Sequence, residues 1–300
     1  MSQKTKTVFG RLLDRTGKRS LSEIHALTGP TVAWFVVFLI IPLFVIVYYS
    51  FLTYVSFSVA HEFTLAAWET TLFSETVQRT FVRTIAVGLL VTVLTLVFAY
   101  PVAYYLRFHT SPLFGIVLLL LLVIPFWTSD LIRTIGWYPI LGREGIINQI
   151  LLWTGVIDAP LRWLIFTVFS QVVGYIQNYL VFMAAPIYIS LAQIDEDLLD
   201  ASETLRGDPI ETFRNVTWPL SLPGVAIGCM FTFVLSIGNF TIPRFLSAGD
   251  VTISILIYGE VQRGLQYPNA AALSIALLVV IFAFVFALFR VVDISDIAQG

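Results

Sequence analysis

The sequence predicts an all-α polytopic membrane protein with six transmembrane helices and both termini on the cytoplasmic side. The fold class rests on composition: 58% of the 300 residues are apolar and only 12% are charged, against about a quarter charged in soluble domains. It rests also on spacing, because charge-poor stretches recur at the length of about 20 residues that a helix needs to cross the hydrocarbon core. Orientation rests on a third observation. Lys4, Lys6, Arg11, Arg15, Lys18 and Arg19 precede the first apolar stretch, and cations flanking a first span favour the cytoplasm.

The spans are placed at residues 31–54, 84–106, 114–136, 164–191, 220–243 and 270–290. The first is too long for a signal-peptide core and is followed by no small-residue cleavage pattern, so it reads as a span. Residues 1–30 then form a cytoplasmic tail, 31–291 a single membrane domain and 292–300 a second cytoplasmic tail. Segments 55–83, 137–163 and 244–269 face outward, and 107–113 and 192–219 face the cytoplasm. The remaining Lys and Arg, taken loop by loop, lean slightly the other way, so orientation depends on the first thirty residues. Residues 143–157 suggest a short amphipathic helix on the outer face.

Several chemistries are excluded. Cys229 is the only cysteine, so there is no internal disulfide and no cysteine cluster for a metal. His25, His61 and His109 lack the i, i+4 spacing of a helical metal pair, and no metal site is assigned. No Gly-x-x-x-x-Gly-Lys-Ser/Thr loop occurs, so ATP has no P-loop here. No nucleophile, histidine and carboxylate share one depth, and an intramembrane enzyme is not supported. Asn215-Val-Thr217 and Asn239-Phe-Thr241 match the glycosylation pattern but fall in a cytoplasmic segment and a span, and are discounted.

Residues 195–219 carry the clearest local signals. Asp195 is a good N-cap with acids after it, and Gly207 is a stop for a first short helix. Asp208 caps a second, with Pro209 at its first position and Glu211 three residues after the cap. Trp218 before Pro219 should end that helix. Leu198, Leu199, Leu205, Ile210, Phe213 and Val216 supply an apolar side that a merely solvated loop would not need and a partner protein would.

The run Leu-Leu-Asp-Ala-Ser at 198–202, Thr-Phe at 212–213 and Pro-Leu-Ser-Leu-Pro-Gly at 219–224 resembles the EAA loop of ABC importer permeases. That resemblance implies a type I importer permease fold, with a coupling helix that docks on a cytoplasmic ATPase through Asp200, Ala201, Ser202, Gly207 and Pro219. The family usually has a glycine six residues after its first acid, where this chain has Arg206 and places Gly207 one later. A second stretch, Ile-Pro-Phe-Trp-Thr-Ser-Asp-Leu-Ile-Arg-Thr at 124–134 with Leu-Gly-Arg-Glu-Gly-Ile-Ile-Asn-Gln at 141–149, is similar to spermidine/putrescine-type permeases. Ile41-Pro42, Tyr49-Ser-Phe51, Ala99-Tyr-Pro101 and Tyr267-Pro-Asn-Ala-Ala271 extend that similarity over most of the chain beyond residue 30. It implies two ATP-binding cassette subunits that hold ATP and Mg, a second homologous permease forming a heterodimer, and an extracytoplasmic solute-binding protein. It also implies residence in a prokaryotic cytoplasmic membrane and no cofactor in this chain.

Polar residues within spans are the candidates for a solute pathway, because charge in lipid is costly and is usually relieved by an aqueous cavity or a partner. Asp130 and Arg133, at i, i+3, read equally as an ion pair that secures packing or as a contact for cargo. For a cationic amine, Asp130 and Glu260 offer charge and Trp127, Tyr175 and Tyr179 offer ring faces. Gln171, Gln177, Asn178 and Asn239 line the passage or bond between helices. Two alternatives stay open: an importer permease for another solute, such as an opine, another organic cation or an amino-acid derivative, and an ion-driven secondary transporter, for which no repeat is visible.

Overall fold

The computed structural model describes residues 28–55, 58–195, 197–199, 202, 208–247 and 251–291. Among the described residues five helices are long and apolar enough to cross a membrane, and a bent pair of helices, taken as one broken span, makes a sixth. Helix α1 (Thr28–Tyr49) leads into a two-stranded antiparallel hairpin, β1 (Leu52–Val55) and β2 (Ser58–Phe63), and a short helix α2 (Ala66–Leu72). Helices α3 (Glu75–Phe108) and α4 (Pro112–Trp127) follow, then α5 (Asp130–Ile135), the single turn α6 (Tyr138–Leu141) and α7 (Ile146–Trp153). The chain continues with α8 (Val168–Ala192), α9 (Pro209–Gly238), α10 (Thr241–Leu246), α11 (Ile253–Gly264) and α12 (Tyr267–Val291).

All six expected spans are present, and where their ends differ there is a local cause. The first stops at Tyr49 rather than residue 54, because the chain enters the hairpin. The second begins at Glu75 rather than 84. Its projecting first turns are held by the Glu75–Arg79 ion pair at i, i+4 and by Thr80 and Thr84 hydroxyls donating to carbonyls one turn back. The third is broken, not continuous: α4 and the segment Asp130–Trp153 meet at 96°. The fourth begins at Val168 rather than 164, after a 3-10 turn at Arg162–Leu164 and an extended Ile165. The fifth ends at Gly238 rather than 243, because Asn239 is extended (ψ 129°). The sixth begins at Tyr267 rather than 270.

One expectation fails for an instructive reason. Helix α9 does not end at Trp218 but runs unbroken from Pro209 to Gly238. A π turn at Phe213–Thr217, closed by the Trp218 N–H on the Phe213 carbonyl, widens the helix just before Pro219. The extra residue relieves the ring's clash with the preceding turn and absorbs its missing donor.

Helix α8 is the axis of the core. Against α3 and α9 it buries Tyr100, Ala103, Met183, Ile187, Tyr188, Leu191 and Val225; against α3 and α10 it buries Val91, Tyr175, Tyr179, Ile242 and Leu246. Small residues allow the close approach of α9. A Cβ on Gly228 would lie 2.6 Å from Met183 Sδ, and one on Gly224 would meet the Pro186 carbonyl still more closely. The pair, four residues apart, is the small-xxx-small device that replaces the hydrophobic effect between helices in lipid. By contrast no residue of α1 is fully buried within the chain, and the helix meets α12 through Tyr49, which lies edge-on to Tyr267.

Candidate functional site

The break in the third span organises a polar network. Pro125 lies in a 3-10 turn (Ile124–Trp127), and Thr128 and Ser129 are extended (ψ 151° and 139°), so α4 stops and α5 starts in a new direction. The exposed end of α4 is capped at one carbonyl. Pro125 O accepts from the Thr128 N–H (3.1 Å), the Thr128 hydroxyl (2.7 Å) and Arg133 Nη1 (2.6 Å). A guanidinium at a helix C-terminus is favourable in charge as well as geometry, and this one also covers the Phe126 ring at 4.5 Å.

Asp130, at the start of α5, is the hub. Its Oδ1 accepts from Asn178 Nδ2 of α8 at 2.7 Å, and its Oδ2 from Asn239 Nδ2 at 3.0 Å, just past the end of α9. Arg133 Nη2 stands 3.6 Å from Oδ1, with the Asp130 and Arg133 side chains 32% and 12% exposed. Asn239 Nδ2 is also 3.0 Å from Tyr179 Oη, and its Oδ1 accepts the Ile242 N–H at 2.9 Å, which starts α10. Tyr179 donates to the Leu235 carbonyl and stacks on Tyr175 at 5.8 Å. One carboxylate thus ties both non-helical breaks, at residues 128–129 and 239, to the middle of α8. Charge-assisted bonds of this kind are about twice as strong as neutral ones.

The structure therefore gathers Asp130, Arg133, Asn178, Tyr179 and Asn239, with Tyr175 stacked behind them. Of the two roles read for Asp130 and Arg133, the structure shows the ion pair, set within a larger interhelical network. Tyr175 is fully buried, so its ring face is covered in this conformation. Trp127 is 85% exposed and lies outside the network. Glu260 lies elsewhere, in a cavity of about 420 Å³ lined by Ile255, Leu256, Gly259 and Gln266. Gln171 is buried on the α8 face shared with Tyr175, whereas Gln177 is exposed on another face and is separated from Asn178's role. Sequence reasoning missed the convergence of Arg133 on Pro125. The signal was there in Pro125 and Arg133, eight residues apart across a Thr-Ser pair, but only the bend brings them together.

At the other end of α9 lies the segment flagged as a partner site. Asp200, Ala201 and Gly207 fall outside the described residues, as does Leu205. Ser202 Oγ lies 2.7 Å from Thr212 Oγ1, which clips the first part of the segment to the start of α9. Asp208 has N-cap geometry and Pro209 follows at the first position, but the Asp208 side chain makes no capping bond. The apolar side divides. Phe213 packs edge-on to Tyr100 at 5.7 Å and near Trp218 at 6.2 Å, Tyr100 shares a 2.9 Å hydrogen bond with Ser221, and Leu199 packs against the core. Leu198 and Ile210 point outward, Ile210 with 72% of its surface exposed. Pro219 lies inside the continuous helix.

No protein-family model matches the sequence. Curated relatives do. The PotB spermidine/putrescine transport system permease of Escherichia coli is 34% identical over 254 residues, covering 83% of this chain and 90% of that protein. PotB of Haemophilus influenzae is 29% identical over 260 residues, covering 86% of this chain and 90% of its own. The inner membrane ABC transporter permease YdcU of E. coli is 27% identical, covering 85% of each chain. Among solved structures, a permease chain from a bacterial alginate ABC transporter in complex with an alginate-bound periplasmic protein shares the fold: TM-score 0.71 at 19% identity, over 94% of this chain and 99% of that one. With relatives matched along nearly their whole length and the fold in agreement, the chain belongs to the PotB-like family of ABC importer permeases, as a multi-pass transport subunit of the inner membrane.

Proposed function

We propose that this chain forms half of the membrane pore of an ATP-driven importer for polyamines of the spermidine/putrescine class. The observation that carries the reading is the match to PotB over nine-tenths of that protein. In this reading the other half is a second homologous permease. Two ATP-binding cassette subunits holding ATP and Mg dock on the segment 195–219, and an extracytoplasmic binding protein delivers the solute. The cations before α1 favour a cytoplasmic N-terminus, and in this reading the docking segment lies on the same side.

The geometry supplies a route for the coupling. Helix α9 is a single rod of 30 residues, about 45 Å at 1.5 Å per residue. Its first turn carries outward-facing Ile210, and its far end adjoins Asn239, which is bonded to Asp130. A push on the docking segment, including Asp200, Ala201, Ser202 and Gly207, tilts that rod about its close contact with α8 at Gly224 and Gly228. The tilt then changes the Asp130–Asn178–Asn239 bonds at the opposite end. When those bonds open, Asp130 presents a carboxylate to an ammonium group beside Tyr179. Trp127 and Glu260 act, if they meet solute, at separate stations.

The test is ATP-dependent uptake of radiolabelled spermidine into vesicles containing the chain and its partner subunits, with Asp200→Lys as the uncoupled control. Uptake in the intact system that the control abolishes, with complex assembly retained, supports the assignment. Robust uptake by the control refutes the docking segment. No uptake by the intact system refutes the polyamine cargo.

A further inference from the structure

The turn and helices beyond the broken span hold a second constellation, which the transport mechanism above does not use. Asn148 of α7 is fully buried, and its side chain closes three hydrogen bonds: Nδ2 donates to the Gly142 carbonyl (3.0 Å) and the Leu161 carbonyl (3.2 Å), and Oδ1 accepts the Leu161 N–H (2.8 Å). One amide thus clamps the residues immediately before Arg143 and Arg162. Both arginines line one cavity of about 470 Å³, walled by Tyr138, Ile165 and Phe166. Phe166 holds the wall from a left-handed backbone (φ 61°), with its ring edge-on to Tyr138 at 5.6 Å. Such a conformation is unfavourable for a bulky residue and persists where the surroundings impose it.

Among the described residues neither guanidinium has an ion-pair or hydrogen-bond partner, although Glu144 and Asp158 lie on the same cap. Two cations therefore line one cavity without an ion-pair partner among the described residues. The surroundings say where the counter-charge comes from. The segment carrying Arg143 is bent by 96° from α4, a direction that suits a chain lying along a bilayer surface at the end of the broken span. Trp153 is 88% exposed at the end of α7, Trp163 is half-exposed next to Arg162, and Ile146 and Ile150 are exposed on α7. Exposed tryptophans and an apolar helix face parallel to the membrane belong at the headgroup level.

We propose that Arg143 and Arg162 form a binding site for the headgroup phosphate of an anionic phospholipid, with Tyr138 and Phe166 against its glycerol region. Paired guanidiniums suit phosphate oxygens in geometry as well as charge. The bound lipid anchors the cap on which Asp130 and the bend depend. The inference holds for any solute and is independent of the polyamine assignment.

The test uses the chain purified in complex with its partner subunits in mild detergent, titrated with short-chain phosphatidylglycerol and read by native mass spectrometry. Arg143→Gln and Arg162→Gln should each weaken the tightest lipid-binding event about fivefold, and the double variant about thirtyfold. Asn148→Ala, which keeps both charges but loses the clamp beside them, should weaken it as well, and the exposed arginine variants should leave the thermal midpoint of the delipidated complex unchanged. Equal lipid affinity in the double variant overturns the proposal. Displacement of the lipid by millimolar inorganic phosphate reassigns the cavity to a free anion and overturns the lipid assignment. Unchanged lipid binding with lost docking of an acidic partner protein does the same.

Discussion

Replacing Asp130 by Asn keeps the side chain's size and removes its charge, and the structure determines what that costs. The carboxylate accepts Asn178 Nδ2 at 2.7 Å and Asn239 Nδ2 at 3.0 Å, and faces Arg133 at 3.6 Å. An amide can accept one of those donors, but its own NH₂ then faces the other, so one bond becomes a donor–donor contact. Each hydrogen bond to a charged group contributes about 1.5–3 kcal/mol. The site is a third exposed, which lowers this, and hydrogen bonds between membrane helices measured by double-mutant cycles reach only about 1.7 kcal/mol. A loss of about 2 kcal/mol for Asp130→Asn follows, with a coupling energy to Asn178→Ala of about 1–1.5 kcal/mol. The assay is reversible unfolding of the purified chain in mixed micelles, with wild type, both single variants and the double variant completing the cycle. A coupling below about 0.3 kcal/mol would refute the reasoning, since the two side chains would then be adjacent without sharing a bond that matters.

Other consequences concern the rod and its contacts. Gly224→Ala should destabilise more than Gly228→Ala, each within about 1–3 kcal/mol, because the first new methyl meets the fixed Pro186 carbonyl and the second chiefly the movable Met183 thioether; equal thermal midpoints would contradict this. Ile210→Asp should leave folding within about 0.5 kcal/mol, as expected at an exposed site, yet lower transport-coupled ATP hydrolysis in the assembled complex severalfold. Unchanged coupling would remove Ile210 from the docking surface. Phe213→Ala should cost about 2 kcal/mol, less than for a fully buried ring, by opening the contacts with Tyr100 and Trp218. It should also reduce transport more than Leu198→Ala, and the reverse order in uptake assays would place the force path elsewhere.

Much of the architecture was legible because it follows from local properties. The length of an apolar stretch decides whether a helix can cross a bilayer, and the recurrence of such stretches located the five spanning helices and the bent pair. The helix signals at Asp208 and Pro209 and the helix within 143–157 are short-range and were found in place, although the Asp208 side chain forms no cap. What failed was also local in origin. A proline preceded by Trp218 reads as a stop, and the sequence carried no mark of the π turn at Phe213–Thr217 that lets α9 continue.

The site divides in the same way. Residue type and position within a span picked out Asp130, Arg133, Asn178, Tyr179 and Asn239, because polar groups in an apolar stretch need partners or water. Which of them meet was decided by the 96° bend at Thr128–Ser129 and by the packing of α8 between α3 and α9. Hydrogen bonds act over about 3 Å, while the residues that share Asp130 lie 48 and 109 positions away from it. The same distance argument separates Trp127 and Glu260 from the network, and brings Arg143 and Arg162 to one cavity through Asn148. The sequence by itself determined that this chain spans a membrane, where its spans lie and which family it resembles, since those are properties of segments and motifs. Only the tertiary structure decided which polar groups share a bond, because that depends on a bend and on helix contacts that no single segment encodes.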